Sequence, residues 1–499
     1  MDENVLPIPL IDVFAGPGGL NEGFNAAVDG NTFRTALSIE MDAAACRTLR
    51  LRAVARYLHR TDPDEYKHYI KFVQDGDLQA FSEASPVVEE AWREAEREVV
   101  QLELGEPERS TADALIEERM GALRDEGTVD PTKWVLVGGP PCQAYSLVGR
   151  SRRTGDAKFY EDKKHTLYRE YLHIVQTHRP TIFVMENVKG LLSASYQDSS
   201  MYARIIDDLQ ANGDYEVRSF VTRNPSKEGR DHVVRAENYG VPQRRHRVIL
   251  LGVRRDAGIS EHDLLEAQLG ERTLRDVLEM MPPVRSRMSR GDTEAEWKRH
   301  RSLGVGLADA DDANKLLRKA APDLGGNFVE SSISPAPCDD ELLQWLVRPE
   351  LGGYSLHESR SHMGRDLQRY AYLARLAKPA RVNELPADLR PLHKNLARED
   401  IPFRDRFHVQ KWDRASSTIV SHLSKDGHHF IHPDPVQARS LTVREAARLQ
   451  TFPDDYYFLG PRTKQFQQVG NAVPPLLARQ LGEIVATMLR RSMEDEHTH

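Results

Sequence analysis

The chain predicts an α/β fold, a largely parallel sheet flanked by helices, together with a second, smaller and irregular domain. Three observations carry this. Short β-branched runs alternate with helical patterns through the first half. From about residue 256 to 438 the alternation fades into scattered Pro, Gly and charge. The length, 499 residues, exceeds what one core organises, since domains run to roughly 100–200 residues.

The expected strands are Leu10–Phe14, Ala36–Ile39, Trp134–Val137, Ile182–Met185 and Val248–Gly252, with helices over His165–His178 and Met201–Asn212. Residues 83–126 read as one or two charged helices inserted between sheet elements, a solvated excursion. Ser417–Val420 and His429–Ile431 are strand-like pieces of the irregular region. Thr442, with Glu445 three residues on, forms a capping box for a helix. A last helix is expected near Pro475–Arg490, with Met493–His499 as a frayed tail.

Apolar residues make up 39% and charged residues 29%, an ordinary globular composition. The longest apolar run, Val248–Val253, is far short of the ~20 residues that span a bilayer, so no membrane partner is expected. With the acidic start Met1-Asp2-Glu3-Asn4, no secretory leader is expected. Cys46, Cys142 and Cys338 stand far apart with no Cys-x-x-Cys pair, which suits a reducing cytoplasm. Net charge is −8, yet residues 80–130 hold 15 acidic and 5 basic side chains, leaving the rest of the chain at +2. A polyanion partner is therefore compatible with the acidic total, provided that segment faces away.

Chemistry begins at Leu10-Ile11-Asp12-Val13-Phe14-Ala15-Gly16-Pro17-Gly18-Gly19-Leu20, an apolar strand running into a glycine turn and a helix. Such a turn lets backbone approach a ligand at the carboxyl end of the sheet. Glu40 follows Gly18 by 22 residues, where a ribose hydroxyl is usually gripped. These features point to a nucleoside cofactor without separating a dinucleotide from S-adenosylmethionine. Next, Trp134-Val135-Leu136-Val137 delivers Gly138-Gly139-Pro140-Pro141-Cys142-Gln143, in which two prolines hold a loop cysteine in place. A thiol needs its pKa lowered to attack at neutral pH, and Arg150, Arg152 and Arg153 lie close in sequence. The strand Ile182–Met185 ends at Glu186-Asn187-Val188, 44 residues after the cysteine, so a βαβ unit brings nucleophile and acid to adjacent strand ends.

With DVFAGPGGL, GGPPCQAYS, MENVKGLL, GVPQRRHRVILLGV, SLTVREAARLQTFPDDY and QVGNAVPP in this order, the chain resembles the cytosine-5 DNA methyltransferases of bacterial restriction-modification systems. The resemblance spans about residues 8–255 and 439–490. It implies a Rossmann-like methyltransferase sheet formed by 1–280 and 438–499, with the helical insertion at about 80–130, and a target recognition domain over 281–437. It implies methyl transfer from S-adenosylmethionine, leaving S-adenosylhomocysteine, to carbon 5 of a cytosine flipped out of double-stranded DNA. In that scheme Cys142 attacks carbon 6, Glu186 holds or protonates ring nitrogen 3, Arg247 reaches the cytosine carbonyl oxygen and the catalytic carboxylate, and Arg245 supports the loop. In Gln243-Arg244-Arg245-His246-Arg247, alternate residues of an extended chain share one face.

The cofactor positions carried over are Phe14, Gly16, Gly18, Gly19, Leu20, Glu40, Met41, Asp77, Leu78, Pro140, Leu167, Asn471 and Val473, with Asp75 a rival to Asp77. No metal is expected, since His428, His429 and His432 fit no standard ligand spacing. A cognate restriction endonuclease is the implied partner in the cell, and a monomer is the expected state because one site flips one base. The same chemistry on transfer RNA, or a non-catalytic DNA-binding relative, are the alternatives. The sizeable region before SLTVREAARLQ favours DNA. The segment between Asp77 and Trp134 and the recognition region are both longer than in minimal members.

Overall fold

The computed structural model describes residues 6–130, 132–141, 167–196, 199–210, 213–226, 228–306, 319–332, 334, 336–337, 339–378, 382–391 and 406–498. Their contacts divide into two compact units. The first comprises Met1–Thr61, Pro86–Gly270 and Ala472–His499, and the second Asp62–Ser85 and Glu271–Asn471. Residues 62–85 and 438–471 thus pack into the second unit, so the compact units and the functional domains drawn from the sequence are different divisions.

The first unit is built on eight strands: β1 (Ile8–Val13), β2 (Phe33–Glu40), β3 (Val99–Gln101), β4 (Val135–Gly138), β5 (Ile182–Val188), β6 (Tyr215–Arg218), β7 (Val233–Arg235) and β8 (His246–Arg254). Their order is β3-β2-β1-β4-β5-β8-β6, with β7 also paired to β8. The first five run parallel, and β8 is antiparallel to β5, β6 and β7. Each of the five strands expected from the sequence lies within or overlaps one of these. β1 is buried along its whole length, as a parallel strand covered on both faces should be.

Among the described residues, the helices flanking the sheet are α1 (Gly19–Asn25), α2 (Ala43–Thr61), α3 (Pro86–Glu98), α4 (Arg109–Asp125), α5 (Leu167–His178), α6 (Met201–Gln210) and α7 (Pro475–Thr498). One apolar layer combines Leu10, Phe24, Val137 and Val184 with Leu477, Leu481 and Val485, so the carboxyl-terminal helix completes a core begun by the first strand. The other layer joins Ile11, Val13 and Leu136 to Ile116, Met120, Tyr171 and Ile205. Burying each such side chain contributes roughly 1.5–3 kcal/mol. The final helix continues to Thr498, beyond the expected Arg490, so the tail is helical rather than frayed.

The 83–126 segment is corrected by the structure. It is no solvated excursion: α3 buries Val88, Ala91 and Ala95, α4 buries Ala112, Ile116, Met120 and Leu123, and β3 extends the sheet beside β2. Its dense acidic residues occupy the outer faces and mask an apolar stripe at helical spacing.

In the second unit, helices Glu294–Gly306 and Gly364–Leu376 pack together, and strands Gly326–Glu330 and Gly353–His357 pair antiparallel. Its most polar buried element is the helix Val443–Leu449. Thr442 and Glu445 form the expected capping box. Glu445 also takes two hydrogen bonds of 2.7 Å from Arg439, and Arg448 forms a bidentate pair with Asp454 at 2.8 and 2.9 Å. Burial pushes the Glu445 carboxyl up, but Arg439 outweighs it and leaves the pKa well below the carboxylate range. His428, on the His-rich stretch, takes a 2.6 Å hydrogen bond from Tyr370, and His432 stands 3.5 Å from Glu445.

His357 is fully buried between Thr442 Oγ1, 3.0 Å from Nδ1, and the Pro282 carbonyl, 2.8 Å from Nε2. The neutral ring suits both neighbours, donating to the carbonyl and accepting from the hydroxyl. Burial lowers its pKa to about 4. A folded pKa below the unfolded ~6.5 means that stability is present above pH ~6.5 and is lost as pH falls toward 4, by on the order of 3 kcal/mol. The thermal midpoint is accordingly expected to fall across that window. H357Q should remove part of the slope, and an unchanged slope in H357Q would refute the assignment.

Candidate catalytic and cofactor site

The carboxyl edge of the sheet assembles two groups of residues. In the first, β1 leaves Val13 and bends sharply. Phe14, Gly16 and Gly18 all have left-handed backbones, with φ of 55°, 57° and 89°. A phenylalanine in that region is uncommon and marks a constrained turn. The turn is tied to the end of β2: Glu40 Oε2 accepts from Gly16 N–H and Oε1 from Asp42 N–H, both at 2.8 Å. Burial raises the Glu40 pKa, and these two N–H groups partly offset it.

Gly19 opens α1 directly against the chain's other end. A Cβ there would lie 2.1 Å from the Val473 carbonyl oxygen, so only glycine permits this approach. Leu20 is buried beneath the turn, and Met41 is 56% exposed just past Glu40. Val473 is buried, whereas Asn471 is exposed at the end of helix Arg462–Asn471 in the second unit. Leu167 is half-buried as the first residue of α5. Asp77 and Leu78 also belong to the second unit. There Asp77 caps a five-residue helix by accepting from Ala80 N–H at 2.9 Å, while Asp75 accepts from Asp77 N–H.

In the second group, β4, β5 and β8 lie side by side. Gly138 pairs with Met185, Ile249 with Glu186, and Arg247 with Val188. This register brings Gly139, Glu186 and Arg247 together. A Cβ on Gly139 would sit 2.8 Å from Glu186 Oε2. Arg247 Nε stands 2.6 Å from Glu186 Oε1, close enough for an ion pair although the N–H does not point along the contact. Arg247 Nη1 also donates to the His246 carbonyl at 2.9 Å. Asn187 Nδ2 donates to the Pro140 carbonyl at 3.2 Å, fastening the Gly-Pro loop to the neighbouring strand end. Cys142 itself lies outside the described residues, as do Arg150, Arg152, Arg153 and Cys338.

The alternation expected in Gln243–Arg247 holds where it is sharpest. Gln243 and Arg245 are buried and Arg244 between them is exposed. Burial, then the Arg247 charge, lowers the Arg245 pKa, against the pull of Glu186. Several residues escaped the sequence reading: Asn187 as a loop anchor, Gly139 as the contact of Glu186, and the pair of His246 Nε2 with Glu237 Oε1 at 2.6 Å.

Asp12 also escaped it, although it is the one charged residue in an apolar strand and therefore the most legible of the missed signals. It is fully buried and neither carboxylate oxygen has a hydrogen-bond partner. The Asn21 N–H faces it without hydrogen-bonding geometry. Burial, then the charge of Glu40, raises its pKa well above the usual carboxylate range.

A sheet of this order, with a glycine turn after β1 and an acid at the end of β2, defines a Rossmann-like methyltransferase. The bent turn and Glu40 at the end of β2 fit a nucleoside cofactor. The model for C-5 cytosine-specific DNA methylases matches residues 123–486, and the chain belongs to that family. It is a DNA cytosine-5 methyltransferase of a family that draws its methyl group from S-adenosylmethionine.

The Type II methyltransferase M.Bpa9945I of Bacillus paralicheniformis is 33% identical over 481 residues, covering 94% of this chain and 96% of that one. M.AgeI of Thalassovita gelatinovora is 29% identical over 402 residues, covering 70% and 82%. A prophage-encoded E. coli protein described as a DNA modification methyltransferase has a TM-score of 0.56 at 19% identity, covering 97% of this chain and 99% of that chain. At that identity the likeness speaks for the fold alone.

Because Asp12 has a raised pKa, its contribution to stability is present at low pH and lost as pH rises through the folded value. Asp12→Asn keeps the shape without an ionisable proton. Its thermal midpoint at pH 8 should equal or exceed that of the unchanged protein, and a fall of several degrees would mean that an ionised carboxylate is required.

Proposed function

We propose that the reaction proceeds through Cys142, Glu186, Arg247 and Arg245, with the methyl donor held by the turn from Phe14 to Leu20, by Glu40 and Met41, and by Pro140, Leu167 and Val473. The observation carrying this reading is the Glu186–Arg247 pair at 2.6 Å, packed on Gly139, three residues before Cys142 in the chain.

The bound donor supplies an electrophilic methyl group on a sulfonium. The protein's own residues do the rest. Cys142 adds as a thiolate to carbon 6 of the flipped cytosine while Glu186 holds or protonates ring nitrogen 3, which turns carbon 5 into an enamine-like nucleophile. Arg247 holds the Glu186 carboxylate and meets the cytosine carbonyl oxygen, and Arg245 supports that strand from within. After methylation, loss of the carbon-5 proton and of the Cys142 sulfur restores the aromatic ring.

Residues 1–280 and 438–499 serve as the catalytic domain, and 281–437 read the neighbouring bases, with base edges supplying specificity and phosphates supplying grip. The protein acts as a monomer in the cytoplasm without a metal. It protects host DNA from an endonuclease of the same specificity, a role supported by its likeness to Type II methyltransferases.

The test is covalent capture. Cys142 should form a stable adduct with a duplex carrying 5-fluorocytosine at the target, because fluorine cannot leave as a proton does. Cys142→Ala should lose both adduct and turnover while keeping donor affinity. Substantial methylation by C142A would overturn the mechanism. Glu186→Gln should lower kcat by about 10²–10⁴-fold with donor affinity retained, and a near-normal kcat would remove Glu186 from the chemistry.

A further inference from the structure

Where β2, α2, α3 and α4 meet, the first unit holds a cavity that methyl transfer does not use. Its interior is narrow, with about 20 Å³ of enclosed space, and it opens to solvent. Arg34 at the start of β2 lines it. Six residues separate Arg34 from Glu40, roughly 20 Å along a strand at ~3.3 Å per residue. The cavity therefore lies toward the end of the sheet away from the glycine turn, out of reach of the reacting atoms.

Its wall carries four arginines, Arg34, Arg56, Arg60 and Arg119, against two glutamates, Glu94 and Glu98. Both carboxylates are engaged: Glu98 with Arg56 and Glu94 with Arg97, each at 2.5 Å. Arg34 reaches only Glu126, at 3.9 Å. Arg119 donates Nε to the Ala36 carbonyl at 3.1 Å and forms no ion pair among the described residues. Arg60, exposed over much of its length, has neither hydrogen-bond nor ion-pair partner among the described residues. Partial burial, then the charge of Arg34, lowers its pKa, yet a guanidinium stays charged. Four guanidiniums line the cleft against two carboxylates, with a further carboxylate, Glu22, 4.0 Å from Arg56, so positive charge is in excess on its wall, and its donors are planar forks that match oxyanion geometry.

We infer that this cavity binds a compact oxyanion of the phosphate class, held by Arg60 and Arg119 with Arg34 and Arg56 alongside. The bound ion neutralises the crowded guanidiniums and ties α3 and α4 of the 83–126 segment to β2 and α2. It acts on the firmness of that segment and leaves the methylation rate at saturating donor and DNA unchanged.

Inorganic phosphate titrated into the full chain tests this, read by ³¹P line broadening and calorimetry. Saturable binding is expected, weakened at least tenfold in R60A/R119A, with the same methylation rate in both proteins. Phosphate raises the midpoint of most proteins by exclusion from their surfaces, so the thermal readout is the difference between the two chains at equal phosphate. Equal binding in both, or no saturable binding by the unchanged protein, overturns the inference, and the second outcome needs no variant to fold. R60Q, at an exposed position, serves if the double variant is unstable. A short duplex that displaces phosphate would assign the oxyanion to a DNA backbone, and one that leaves it bound would assign it to the free ion.

Discussion

The first unit depends on one close crossing, that of Gly19 against the Val473 carbonyl. No side chain fits between them. The crossing brings together residues more than 450 positions apart, and everything around the glycine turn follows from it. α7 lies against α1, its leucines fill the layer begun by β1, and the glycine turn is backed by a segment more than 450 positions away.

The catalytic edge depends on register rather than on loops. Glu186 and Arg247 meet because β8 runs antiparallel to β5 with Ile249 opposite Glu186. A slip of one residue would send Arg247 to the other face. Arg245 is buried nearby and feels both the Arg247 charge and the Glu186 carboxylate. The Asn187 side chain ties the Gly-Pro loop to the same strand end. Rigid strand ends thus set the position of groups whose chemistry tolerates errors of less than an ångström.

The second unit relies on buried charge. Arg439, Arg444 and Arg448 are almost wholly enclosed, and each is answered by a carboxylate or by carbonyl groups. Taking away one member of such a pair costs about 3–5 kcal/mol because its partner stays buried. The sequence SLTVREAARLQ shows the capping box plainly. It does not show that its arginines point inward, since a charged residue on an amphipathic helix is ordinarily a solvated one.

The division between sequence and tertiary structure is clearest in single residues. Local patterns were enough for the parallel strands, the glycine turn, Glu40, Glu186 and the Thr442–Glu445 cap, because each rests on periodicity or on neighbours within a few residues. The 83–126 segment was misread because composition records charge but not which face it occupies. Asp77 enters the donor site by likeness, and only the fold shows that its carboxylate caps a short helix. Asp12, Asn187 and the arginine-lined cavity needed the folded chain, since their meaning lies in partners brought from distant elements or, for Asp12, in a partner withheld. The chain's residues dictated the kind of sheet and its chemistry. Packing alone decided which charges are buried, which are paired and which are left over, because desolvation depends on what surrounds a group in space and not on what precedes it in the chain.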